Sequence, residues 1–163
     1  MKGRAAVRAR AGGLCIRRAQ SADAPTIADA QIRMALETEG VRLQPATVRR
    51  GVRAVLADAD KGRYYVAERD GTFAGCLMVT REWSDWRHGW IWWIQSLYVP
   101  PAGRRQGVFR ALYRRVLDDA RAAGARGLRL YVDRRNAAAQ KAYAAVGMDG
   151  DHYRVFERVL PAE

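Results

Sequence analysis

The feature that most constrains this chain is a junction. WIWWIQSLYV (Trp90–Val99), rich in aromatic and β-branched residues, runs into the turn-forming stretch PPAGRRQG (Pro100–Gly107), and a helical pattern starts at once. Val108, Leu112, Val116 and Ala120 recur every four residues, Phe109, Tyr113 and Leu117 widen the stripe, and Gly124 ends it. GLRLYV (127–132) then reads as another strand. Strand, loop, amphipathic helix and strand make a parallel unit with a right-handed crossover. Such a unit calls for a sheet with helices packed on it.

The remaining pattern extends that sheet. LCIRRA (14–19) alternates as a short strand, and Ser21 or Asp23 caps a helix with Pro25 in its first turn. Ile27, Ala30, Ile32, Met34, Ala35 and Leu36 give that helix a broad apolar face, and Gly40 ends it. QPATVRRGVRAVLAD (44–58) is a second helix with Val48, Val52, Val55 and Leu56 as its stripe. GRYYVAER (62–69) and FAGCLMVTRE (73–82) flank Asp70-Gly71, a hairpin turn signal. NAAAQKAYAAVG (136–147) reads as a helix with Asn136 at its N-cap, and HYRVFERVL (152–160) as a last strand. The fold expected is α/β with a mixed sheet: three antiparallel strands, one parallel crossover, and helices on both faces.

With 163 residues, the chain has the size of one domain with a sizeable core. Residues 14–163 are read as that domain, and residues 1–13 as a basic tail without order. No apolar run is long enough to cross a membrane, and no apolar segment follows the basic start MKGRAAVRARAGG. Cys15 and Cys76 read as two free thiols in a reducing cytoplasm. With only two histidines, no metal site is expected. The 29 Lys and Arg against 17 Asp and Glu give a net charge of +12, which attracts phosphates. The arginines are spread along the chain, so the charge alone does not point to nucleic acid.

The loop Pro100–Gly107 opens a helix whose first amides have no internal partner and whose dipole is positive at that end. A pyrophosphate fits such a place. Gly107 lets backbone approach an anion closely, and Arg104 and Arg105 add charged donors. A solvated basic loop accounts for the same residues. Neither the Walker phosphate loop nor the dinucleotide G-x-G-x-x-G motif occurs after a strand here.

From about Leu14 to its end, the chain resembles the GNAT N-acetyltransferase family. The family's acetyl-CoA motif, R/Q-x-x-G-x-G/A, aligns with Arg104, Arg105, Gln106, Gly107, Val108 and Phe109, after a strand ending in LYV and proline. A second family pattern, N-x-x-A-x-x-x-Y-x-x-x-G-F/M, matches Asn136, Ala139, Tyr143, Gly147 and Met148 without a gap. Phe109 departs from the family's Gly or Ala; the helical stripe places it with Val108 and Leu112 in the core.

The resemblance implies acetyl-CoA as co-substrate, without a metal. It implies that backbone at Leu97, Tyr98 and Val99 pairs with the pantetheine arm. Arg104 would open the pyrophosphate loop, and amides from Arg105 through Gln106, Gly107, Val108 and Phe109 to Arg110 would wrap the phosphates. Asn136 would bond the cofactor near the pantetheine, and Tyr143 would protonate the departing thiolate as general acid. Without the motif, Tyr143 reads as a core aromatic. Relatives carry a carboxylate base on the long central strand, but Trp90–Val99 holds no acidic residue. A base must come from its neighbours: Glu82 first, with Asp85 nearby, or Glu37, with Glu39 nearby.

Trp83, Trp86, Trp90, Trp92 and Trp93 crowd one hairpin. Those on the Trp83–Trp90 connection could wall an acceptor pocket that, with carboxylates, suits a cationic amine. The net charge disfavours a basic protein tail, so a small-molecule primary amine is the expected acceptor, and a homodimer is compatible with the aromatic strands. Two other classes stay open on the sequence: an acyl-CoA-binding sensor without turnover, and a basic nucleic-acid-binding module.

Overall fold

A computed structural model describes residues 13–160. The expected N-terminal tail lies outside the described residues except for Gly13, which is exposed. Two compact units are present, one running to Arg129 and one from Leu130 onward.

The first unit is built from β1 (Leu14–Arg18), α1 (Ala24–Glu39), α2 (Pro45–Ala57), β2 (Arg63–Arg69), β3 (Thr72–Ser84), β4 (Gly89–Tyr98), α3 (Val108–Ala122) and the start of β5 (Gly127–Leu130). The sheet order is β1-β2-β3-β4-β5. β1 to β4 pair antiparallel, and β5 comes beside β4 after the α3 crossover, making the sheet mixed. Asp70 and Gly71 both have positive φ, 52° and 76°, as the tight turn between β2 and β3 requires.

Period-two alternation on β2 assigns the helices to faces. Tyr64 and Val66 are buried with Ala24, Ile27 and Ala28 of α1 and Val52 of α2. Tyr65, between them, points the other way, and its phenol donates to Asp119 of α3 at 2.9 Å. Burial and that carboxylate push the Tyr65 phenol up to about 12. α3 buries Val108, Leu112, Val116 and Ala120, the four residues of its sequence stripe. Fully burying an aliphatic side chain stabilises by roughly 1.5–3 kcal/mol, so this face is what anchors the helix. Phe109 differs from its expected core position. It is half-buried, at the flank of the stripe, with its ring 6.0 Å from that of Tyr113.

β4 contains the one departure from alternation that matters for the site. Met78 pairs with Ser96 but Val79 pairs with Ile94, so Gln95 is an extra residue on β4. The bulge exchanges the faces of the strand. Before it, Ile91 and Trp93 lie opposite Glu82 and Thr80, on the face of α1; after it, Ser96 and Tyr98 take that face, opposite Met78 and Cys76. Gln95 Nε2 donates to Thr80 Oγ1 at 2.8 Å, fixing the bulge from its neighbour.

The second unit holds α4 (Ala137–Ala144). Asn136 caps it, its side-chain oxygen accepting from Ala139 N at 3.0 Å. At the other end Gly147 has φ 85°, and Met148 N donates back to Tyr143 O at 3.2 Å, a Schellman-type closure. The expected last strand does not form: residues 153–160 have no regular structure. An extended segment becomes a strand only when a neighbour takes its backbone hydrogen bonds, and no strand pairs with it among the described residues. Tyr153, Val155, Phe156, Val159 and Leu160 are all exposed.

Candidate active site

The end of β4 and the mouth of α3 are brought together by small residues. A Cβ on Gly75 of β3 would stand 2.9 Å from Tyr98 O and 3.2 Å from a methyl of Val108. Only glycine lets β3 lie this close to both. Past Tyr98 the chain turns through Pro101–Gly103, a short 3-10 segment, and Arg105 and Gly107 then take positive φ values of 62° and 79°. A non-glycine residue in this region costs about 1–2 kcal/mol, so the loop holds strain at Arg105.

Side chains hold the loop from three sides. Arg104 Nε donates to Val99 O at 3.0 Å, while its Nη2 pairs with Glu37 in the last turn of α1. Arg69, closing β2, donates to Gln106 O at 3.1 Å, and Gln106 Nε2 donates to Ala102 O at 2.7 Å. The first turn of α3 has no acidic residue, and no side chain caps it among the described residues. Ala111 N reaches Gly107 O at 3.0 Å, so the helical ladder starts there. The amides of Val108, Phe109 and Arg110 precede that first bond. Arg105 and Arg110 are exposed and make no ion pair among the described residues. Uncapped amides, a glycine with positive φ and unpaired cations suit the phosphates of a nucleotide-like co-substrate.

The two carboxylates considered as bases occupy the same face of the sheet at different levels. Glu37 accepts from Tyr98 Oη at 2.9 Å and from Arg104. Arg104, and then Tyr98, hold its carboxyl below the ordinary glutamate range. Glu82 stands within β3. It accepts from Trp93 Nε1 at 2.6 Å and from Arg129 Nη1 at 2.6 Å. Glu82 is six residues along β3 from Cys76, the partner of Tyr98. At about 3.3 Å per residue that is roughly 20 Å, too far for both carboxylates to serve one proton.

The tryptophans divide by face, which revises the aromatic wall read from the sequence. Trp83 and Trp90 pair across β3 and β4 on the face of Arg81 and Trp92, away from Glu82. Both are exposed, as is Trp86 in the turn. Trp83 and Trp90 meet edge to face with centroids 5.2 Å apart, and the Arg81 guanidinium lies 5.1 Å from the Trp90 ring. Trp93 is the aromatic beside Glu82.

In the second unit, Asn136 uses its oxygen for the cap, and its amide nitrogen makes no other hydrogen bond among the described residues. Tyr143 is half-buried on α4, and burial pushes its phenol above the ordinary value near 10, so it stays protonated at neutral pH. Leu97, Tyr98, Val99, the residues Arg104–Arg110 and Glu37 thus come together in the first unit. Glu82 lies at the far end of the same face, and Asn136 and Tyr143 share α4. Sequence reasoning missed the Gln95 bulge, Arg69 and Arg129. None of the three leaves a sequence signal: Trp90 to Ile94 are all apolar, so no alternation is visible there for Gln95 to break.

Among the described residues, no cluster of His, Cys, Asp or Glu could hold a metal ion, and no helix is long and apolar enough to cross a membrane. None of the curated proteins matches this chain. Among solved structures, it is similar to a possible acetyltransferase from Clostridium difficile 630, with 35% identity and a TM-score of 0.83 over 91% of this chain and 99% of that one. It shares the fold of a ribosomal-protein-alanine N-acetyltransferase from Brucella melitensis biovar Abortus 2308, at 18% identity and a TM-score of 0.73, over 90% of this chain and all of that one. It also shares the fold of the aminoglycoside N-acetyltransferase AAC(6')-Iy in complex with CoA, at 16% identity and a TM-score of 0.76, over 94% and 99% of the two chains. The family model described as Acetyltransferase (GNAT) family matches residues 30–148, most of the chain, which therefore belongs to the GNAT acetyltransferases.

Proposed function

We propose that this protein moves an acetyl group from acetyl-CoA to the primary amine of a small molecule, by direct attack in a ternary complex. The observation that carries the reading is the mouth of α3, where Gly107 at φ 79° opens a helix with no acidic residue or side-chain cap in its first turn, beside Arg105. The amides from Arg105 to Arg110 bind the pyrophosphate, and the backbone of Leu97, Tyr98 and Val99 takes the pantetheine. Acetyl-CoA supplies the thioester whose acetyl group is transferred. Tyr143, protonated at neutral pH, donates from Oη to the departing sulfur. Glu82 takes the proton that the amine loses, directly or through water, and Asn136 orients the co-substrate with its free amide nitrogen.

Glu82 is the better base of the two carboxylates on positional grounds. The phosphates sit beyond Val99, so the pantetheine runs back along β4 toward Gln95, and the acceptor must approach from the other side of the reacting carbonyl. That side holds Glu82 and Trp93. An indole there, together with the carboxylate, recognises an ammonium ion.

One observation favours a second reading. Both carboxylates are already paired with arginines, Glu82 with Arg129 and Glu37 with Arg104, which disfavours either as a base and suits an acyl-CoA sensor that does no chemistry. A screen of small primary amines separates the two. Release of free CoA thiol that depends on amine, and that falls on Tyr143→Phe, supports the transferase; tight acetyl-CoA binding without thiol release from any amine supports the sensor.

A further inference from the structure

Glu37 stands where an isolated carboxylate is unfavourable. It lies in the last turn of α1, at the negative end of the helix dipole. Its two oxygens are divided between two donors from elsewhere in the chain: Oε1 accepts from the phenol of Tyr98 and Oε2 from the guanidinium of Arg104. Tyr98 is buried, 4% exposed, and ends β4. Arg104 begins the loop, and its Nε is bound to Val99 O. One side chain therefore ties α1 both to the last residue of β4 and to the first cation of the loop. Exposed ion pairs contribute little to stability, which leaves geometry as the use of this one.

We infer that Glu37 is a positioning residue for the co-substrate site, a latch that fixes the end of β4 and the start of the phosphate loop in one arrangement. The inference rests on the acetyl-CoA reading above and takes Glu37 out of the proton-transfer chemistry. The latch orders the loop before any ligand arrives, so binding does not have to order it. Arg104 and Tyr98, with Arg33 on the neighbouring turn, hold the carboxyl below the ordinary glutamate range. A carboxylate so held is a weak proton acceptor, as a latch can be and a base should not.

The test compares wild type, Glu37→Gln and Glu37→Ala in two measurements. The first is hydrogen exchange of the amides from Gly103 to Val108 in ligand-free protein. The second is calorimetric titration with acetyl-CoA. Glu37→Ala should speed loop exchange while leaving the α3 core protected, and should weaken acetyl-CoA at least tenfold. Glu37→Gln, which keeps an acceptor for Tyr98 but loses the ion pair, should fall between. With an amine acceptor in hand, the KM for acetyl-CoA rises while kcat at saturation and its pH profile stay unchanged. Unchanged loop exchange and affinity in Glu37→Ala overturn the latch even though wild type binds. So does a loss of kcat with its acidic limb at unchanged affinity, which makes Glu37 a base. Wild type that fails to bind acetyl-CoA at all, with the loop still protected by Glu37, overturns the acetyl-CoA reading itself and reduces the latch to a structural clamp.

Discussion

The two ends of β4 have similar chemistry and opposite organisation. At the loop end, two sets of bonds, Glu37 with Tyr98 and Arg104, and Arg69 with Gln106, hold backbone that bends into the left-handed region. At the hairpin end, Glu82 is held by Trp93 and Arg129, while Trp83, Trp86 and Trp90 are exposed. Each end has one carboxylate, paired with one arginine and one aromatic donor. The difference lies in what those bonds restrain. Around Glu37 they fix main chain, which a phosphate must find already in place. Around Glu82 they fix only side chains, which an incoming amine can displace. On the proposed reading, the preorganised end would bind the constant part of the reaction and the adaptable end would receive the variable part.

The largest effects should come from breaking the chemistry while sparing the binding. Tyr143→Phe should lower kcat by roughly 10²–10⁴, the range of a lost general acid, with acetyl-CoA affinity unchanged by calorimetry. A change confined to affinity would place Tyr143 in the binding site only. Glu82→Gln should lower kcat/KM by about 10², with no effect on acetyl-CoA affinity at the loop end. If kcat/KM is unchanged, the base lies elsewhere or the amine attacks already neutral.

A structural effect of intermediate size tests how the loop end is assembled. Gly75→Ala sets a Cβ against Tyr98 O and Val108, and such overpacking costs about 1–3 kcal/mol. It should lower the midpoint of urea unfolding and weaken acetyl-CoA together. Destabilisation without weaker binding would separate the packing of β3 from the site.

The junction of strand, loop and helix was legible because its signals are local. The four-residue recurrence from Val108 to Ala120 named the buried face of α3, Asp70-Gly71 named a tight turn, and Asn136 named a cap. The latch was not legible, since Glu37 and Arg104 are 67 residues apart and only the folded sheet joins them. The tryptophans divide by plain alternation before the Gln95 bulge, and the bulge decides only which of them share a face with Ser96 and Tyr98. The segment at 152–160 shows the limit of alternation as a signal, because alternation describes a surface and pairing needs a neighbour.

The smallest effects sharpen the comparison through protonation. Glu37 has its pKa lowered on folding, so its bonds are present above the unfolded carboxylate value near 4.3 and are lost as pH falls through the lower folded value. The affinity gap between wild type and Glu37→Gln should therefore hold from neutral to mildly acidic pH and close only below it. Cys76, whose thiol burial pushes up to about 12, should resist thiol reagents in the native protein, while the half-buried Cys15 reacts first. Equal labelling of both would mean that the α1 face of the sheet opens readily.

The most direct test of the central claim is calorimetric titration of acetyl-CoA into wild type and Gly107→Glu. A Cβ at Gly107 meets nothing within 4 Å, so the variant carries backbone strain and a carboxylate at the helix mouth without a clash in the core. Its fold can be checked by circular dichroism. Micromolar binding by wild type, lost in a folded Gly107→Glu, is the predicted result. Equal binding by both proteins, or none by wild type, would contradict the claim that the mouth of α3 holds the phosphates of acetyl-CoA.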